Sequence, residues 1–173
     1  MERMIRAAKL DIALYEEVEA DTHATGQAAL VVILSSLAAG IGSLVSAGVS
    51  GIVFGTLMAL IGWYIWAYMT YFIGTKFLPA PQTHVTPGEL LRTIGFASSP
   101  GLLRLVGIIP GLTGLVFVVT SLWMLAAMIV AVKQALDYQS ILRAIGVCAI
   151  GWLVQMLVMM LVFLLFGSAS TTA

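Results

Sequence analysis

The sequence predicts an all-α integral membrane bundle of five transmembrane helices preceded by an amphipathic N-terminal helix. Three observations carry this. Of the 173 residues, 61% are hydrophobic and 9% charged, with a mean hydropathy of +1.07; soluble domains carry about 25% charged residues. No Lys, Arg, Asp or Glu occurs from Thr22 to Thr75, and one helix of that length would reach roughly 80 Å, over twice the hydrocarbon thickness, so the stretch must fold back. Threading five spans from a cytoplasmic N-terminus places Arg3, Arg6, Lys9, Lys76, Arg92, Lys133 and Arg143 inside and Arg104 alone outside, in line with the positive-inside bias. Four crossings would divide the same cations six to two.

Residues 1–21 read as a cytoplasmic amphipathic helix on the membrane surface, with Ile5, Ala8, Ile12 and Tyr15 at helical spacing. Its bases precede its acids, the reverse of what the helix dipole favours, an order that suits a contact or plain surface solvation. The acids Glu16, Glu17, Glu19 and Asp21 ahead of the first apolar run also speak against a cleaved signal peptide.

The membrane domain covers residues 22–166. Spans 1 and 2, about 25–46 and 52–77, meet at a tight uncharged turn, Ser46-Ala47-Gly48-Val49-Ser50-Gly51. Pro79 and Pro81 oppose helix in the following linker, and Thr86-Pro87-Gly88-Glu89 has the form of a capping box that opens the third segment. That segment, about 87–106, is the weakest span: eleven residues separate Arg92 from Arg104, and Pro100 and Gly101 predict a kinked, short or partly re-entrant crossing. Gly107-Ile108-Ile109-Pro110-Gly111 turns the chain into span 4, about 113–135, ending at Lys133, where a cation suits the helix C-terminus. Asp137-Tyr138-Gln139-Ser140 leads into span 5, about 141–166, and residues 167–173 form a short tail.

The long apolar stretches contain no acid, no histidine and no catalytic constellation, so no enzyme activity, cofactor or metal site is predicted. His23 and His84 fall in connections, and the lone Cys148 allows neither an intrachain disulfide nor a cysteine cluster. Zero net charge gives no field for nucleic acid. The small-residue row through Ala39, Ser43, Ala47, Gly51 and Gly55 lets helix backbones approach, as an internal seam or a partner seam. Tyr64, Tyr68 and Tyr71 share a face near Trp63 and Trp66, serving anchoring and packing or, alternatively, a lipid or other hydrophobic ligand. Gln155 is the clearest intramembrane polar group and suits an interhelical hydrogen bond. Arg104 is expected to snorkel to head groups or, alternatively, to contact an anion, and Glu89 to pair with Arg92 across one turn.

Tyr15-Glu16-Glu17-Val18-Glu19-Ala20-Asp21, then Gly88-Glu89-Leu90-Leu91-Arg92-Thr93-Ile94-Gly95-Phe96-Ala97-Ser98-Ser99-Pro100, together with the five-span layout, resemble the Yip domain family. These are polytopic membrane proteins whose eukaryotic members are named for interaction with Ypt/Rab GTPases. The resemblance implies a five-helix bundle with a cytosolic N-terminus and, for the eukaryotic members, roles in vesicle traffic and membrane shaping. The chain lacks their long cytosolic N-terminal region and their Asp-Leu-Tyr-Gly-Pro motif, so GTPase binding is not carried over; its compact form is similar to the prokaryotic members. The function expected is a non-enzymatic scaffold or accessory subunit of a larger membrane complex in a prokaryotic cytoplasmic membrane, with the C-terminus outside. Its partners would be the lipid bilayer and other integral membrane proteins or a second copy. The alternatives are a small transporter or channel using Pro100 and Gln155, or a membrane-organisation or trafficking factor acting without a complex.

Overall fold

A computed structural model describes residues 1–42 and 44–166, and the side chains of all these except 44–49, 159 and 162–166. All regular structure among them is helical: α1 (Glu2–Ala8), α2 (Ile12–Ala20), α3 (Ala24–Gly42), α4 (Leu44–Phe72) with a π turn at Ile73–Phe77, α5 (Pro87–Ala97) continued by a 3-10 segment (Ser99–Ile108), α6 (Thr113–Ala135) and α7 (Ile141–Phe166). Four stretches are long and apolar enough to cross a membrane: Ala24–Gly42, Ser50–Phe77, Thr113–Ala135 and Ile141–Val158. The third predicted span is not among them.

The N-terminal region is two helices rather than one. Leu10 takes a positive φ of 62°, and Asp11 caps α2 by accepting from the Ala13 N–H at 3.0 Å, so the chain reverses between Lys9 and Asp11. The reversal explains the order of charges. Arg3 of α1 pairs with Glu17 and Asp21, and Arg6 with Asp11 and Glu17, all at 2.7–2.9 Å; the sorting serves an intrachain contact, not solvation of a single surface helix. On the opposite face Ala7, Leu14, Tyr15 and Val18 are buried against Ala28, Phe96, Ala127 and Ala131. The hairpin is therefore docked across α5, its 3-10 continuation and α6.

Between α3 and α4 the chain reverses after Gly42, so Ser46–Gly51, expected as the turn, lies within α4. Gly42 permits this because a Cβ there would stand 2.1 Å from the Arg104 carbonyl oxygen. We call the end carrying this reversal distal and the end where α3 begins basal.

Helix α5 and its 3-10 continuation form the centre. The capping box is present as the sequence predicts: Thr86 Oγ1 accepts from the Glu89 N–H, Glu89 Oε2 accepts from the Thr86 N–H, and Pro87 holds the first helical position. Every residue from Leu90 to Ala97 is buried. Close approaches to α3 occur in parallel order, with Gly95 against Ala28, Gly101 against Ser35, and Gly107 with Arg104 against Gly42. The segment thus runs beside α3 from base to distal end, about 35 Å at standard rises. The polar α5 is enclosed by neighbouring helices, whereas the 3-10 part buries Ser99, Pro100, Gly101 and Gly107 and turns Leu103, Leu105, Val106 and Ile108 outward; irregular backbone is tolerated where protein buries it.

The base is held by side chains on carbonyls. Tyr138 donates to the carbonyls of Gly74 and Leu78 at 3.2 and 2.6 Å, beside the π turn. Thr83 donates to the Leu136 carbonyl and Gln82 to that of Asp137, at 2.9 and 3.0 Å. The 78–86 linker and the α6–α7 connection therefore lie at the same end.

Candidate functional site

Arg104 leaves the 3-10 segment near the distal end, and its side chain turns into the bundle. Nε donates to Thr120 Oγ1 at 3.2 Å and Nη2 to Ser121 Oγ at 3.0 Å, both hydroxyls on α6, and the guanidinium carbon stands 4.9 Å from the Phe117 ring centroid. The expected snorkelling is thus not the geometry found: two hydroxyls and a ring attract the side chain inward. Among the described residues Arg104 has no carboxylate partner.

Two cavities share this guanidinium. The larger, about 660 Å³, is a groove between α6 and α7 floored by Trp66 and Met128, with Ser98, Arg104 and Ser121 the polar groups in an otherwise apolar wall. The smaller, about 220 Å³, lies on the α3–α4 side and adds Ser35, Ser36 and Trp63. Trp66 Nε1 donates to Met128 Sδ at 2.9 Å and Trp63 Nε1 to the Leu91 carbonyl at 2.9 Å, so both indoles are fixed in the wall. Periodicity marks Trp63 and Trp66 as neighbours of a tyrosine face. The hydroxyls of Ser98, Thr120 and Ser121 gave no comparable signal, because single hydroxyls in apolar helices satisfy themselves on the preceding turn, as Thr120 does on the Val116 carbonyl.

The residues singled out in sequence do not converge on these cavities. Tyr64 and Tyr68 face outward, their hydroxyls 3.0 Å apart and ring centroids 4.8 Å apart, while Tyr71 is half-buried against the basal core. In the small-residue row, Ser43 and the Ala47 side chain lie outside the described residues. Ala39 lies on α3, Gly51 is half-buried on α4, and nothing approaches the position of a Gly55 Cβ. The α3–α4 seam is marked instead by Gly40 against Ile52, and by Ser36 Oγ 3.3 Å from Thr56 Oγ1. Pro100 and Gly101 are buried in the 3-10 segment just after α5 ends. Gln155 is half-buried on α7. Glu89 serves its cap, while Arg92, buried, donates from Nε to the Val18 carbonyl at 2.9 Å and from Nη2 to that of Glu19, so the expected Glu89–Arg92 pair is replaced by a cation on the last carbonyls of α2.

At the base, Glu16, Glu19, Glu89 and Asp137 border a hollow of about 470 Å³ with Lys133 and Gln134. Burial first, then the charges of Asp137 and Glu89, push the Glu19 carboxyl up to about 7. Among the described residues no group of three or more His, Cys, Asp or Glu is arranged to hold a metal ion. No protein-family model matches the chain, and neither the curated proteins nor the solved structures compared with it include a match.

Proposed function

We propose that the chain is a non-enzymatic integral membrane protein of Yip type with five crossings, acting as a scaffold or accessory subunit that docks another membrane protein on α4. The observation that carries this is the outward face of α4. Over an 18-residue apolar window of this helix only 6% of residues are buried, against 33% over the corresponding window of α3. Gly55 and Gly62 lie exposed on it, seven residues apart, with nothing within 4 Å of a Cβ at either. Lipid contact gains nothing from a missing side chain, whereas a partner helix does, because small residues let backbones approach. The Tyr64–Tyr68 hydroxyl pair on the same helix offers such a helix polar contacts otherwise scarce in the segment.

The test is native-gel migration and mass spectrometry of the protein extracted in mild detergent from its own membrane. Wild type is expected to migrate with a partner subunit, and Gly62→Leu to remain folded and migrate alone. A strictly monomeric wild type that captures no protein on crosslinking in the membrane would overturn the reading.

A further inference from the structure

We infer that the groove between α6 and α7 is a binding site for an anionic phospholipid, its phosphate on Arg104 and one acyl chain along the groove. Arginine carries five N–H donors, and the hydroxyls of Thr120 and Ser121 take one each, leaving Nη1 without a partner among the described residues. Hydroxyls solvate a cation without neutralising it, and a cation without a counter-charge is costly in an apolar surrounding. The Thr120 hydroxyl proton is committed to the Val116 carbonyl, whereas Ser121 donates to no acceptor among the described residues and stands beside the guanidinium. A phosphate matches this set, since guanidinium binds it through two parallel N–H bonds.

The shape of the groove selects a lipid over a soluble anion. From Ser121 and Arg104 it descends along α6 to Ile129, about 12 Å at helical rise, over a wall that offers nothing polar beyond Ser98. It opens sideways rather than to either end: Leu125, Ile145 and Trp152 on its margin are 51%, 41% and 60% exposed. A free anion has no aqueous route across such a margin, while a lipid enters laterally with its head toward the distal end and its chain toward the base. A neutral lipid would fill the same space without answering Arg104. The inference does not depend on the α4 docking face, which lies on another helix.

Native mass spectrometry of the detergent-solubilised protein, titrated with phosphatidylglycerol or with phosphatidylcholine of the same chains, tests it. Retention of phosphatidylglycerol is expected to exceed that of phosphatidylcholine about tenfold, the worth of a charge-assisted hydrogen-bond pair. Arg104→Gln should abolish the preference. Ala149→Phe, which keeps Arg104 and fills the groove from its margin, should lower retention of phosphatidylglycerol and keeps the proposal testable if Arg104→Gln fails to fold. Equal retention of the two lipids by wild type, a preference surviving in Arg104→Gln, or displacement of phosphatidylglycerol by inorganic phosphate at equal concentration would each overturn it.

Discussion

Glu19 and Arg92 meet where α2 ends, and their surroundings set opposite behaviours. Arg92 is buried, and two terminal carbonyls of α2 receive its donors. Glu19 gains no such partner; burial and the neighbouring charges of Asp137 and Glu89 raise its carboxyl from an ordinary 4.5 to about 7. The folded chain therefore binds a proton that the unfolded chain has already released, and raising the pH through this window removes stability. Glu17, beside Arg6 and Arg3, and Asp21, beside Arg3, are held below the ordinary carboxylate range, so their stabilisation is lost only as the pH falls below about 4. The two effects occupy separate windows. Thermal unfolding in detergent should show the wild-type midpoint falling between about pH 5 and about pH 8, and Glu19→Gln should flatten that slope. An identical slope in the variant would assign the titration to another group.

At the scale of elements, the close approaches of α3 to the α5/3-10 segment make glycine position decisive. A Cβ at Gly42 meets the backbone oxygen of Arg104 at 2.1 Å, and backbone cannot rotate aside as a side chain does; at Gly55 nothing lies within 4 Å. Gly42→Ala is expected to cost about 1–3 kcal/mol, the range for overpacking, while Gly55→Ala leaves stability unchanged, both read by denaturant titration in one detergent. Equal effects would mean that the reversal yields without strain. The same contacts explain what was legible beforehand. Four apolar helices and the capping box at Thr86 could be read because long apolar runs and cap chemistry are local. The site of the α3–α4 reversal could not, because it depends on the Arg104 carbonyl, sixty-two residues away in sequence. Nor could the N-terminal hairpin: the apolar spacing of Ile5, Ala8, Ile12 and Tyr15 fits one helix, and the fold-back shows in the positive φ of Leu10 and the ion pairs of Arg3 and Arg6 with Glu17. Arg104 was legible as a lone cation but not in direction, which the hydroxyls of α6 decide.

For the whole molecule, the proposed five crossings and a four-crossing arrangement differ in which connections share a side of the membrane. The third segment is too polar and too broken to count as an apolar helix; burial accounts for the polarity of α5, while the 3-10 part keeps Leu103, Leu105, Val106 and Ile108 exposed. The linker before α5 and the connection after α6 are joined by the bonds of Gln82 to the Asp137 carbonyl and Thr83 to that of Leu136, so the chain between them leaves the base and returns to it. Under the proposed five crossings, α5 with its 3-10 continuation would supply the outward passage from which α6 returns, and its length of about 35 Å is compatible with a hydrocarbon thickness of about 30 Å. In a Cys148→Ala background, single cysteines at the exposed positions Glu2, His84, Pro110 and Gln139 separate the two topologies. With five crossings, a membrane-impermeant thiol reagent should label the cysteines at positions 2, 84 and 139 from one side and the one at 110 from the other. With four crossings, the cysteine at 110 would label with those at 2 and 84, and the one at 139 would label from the opposite side.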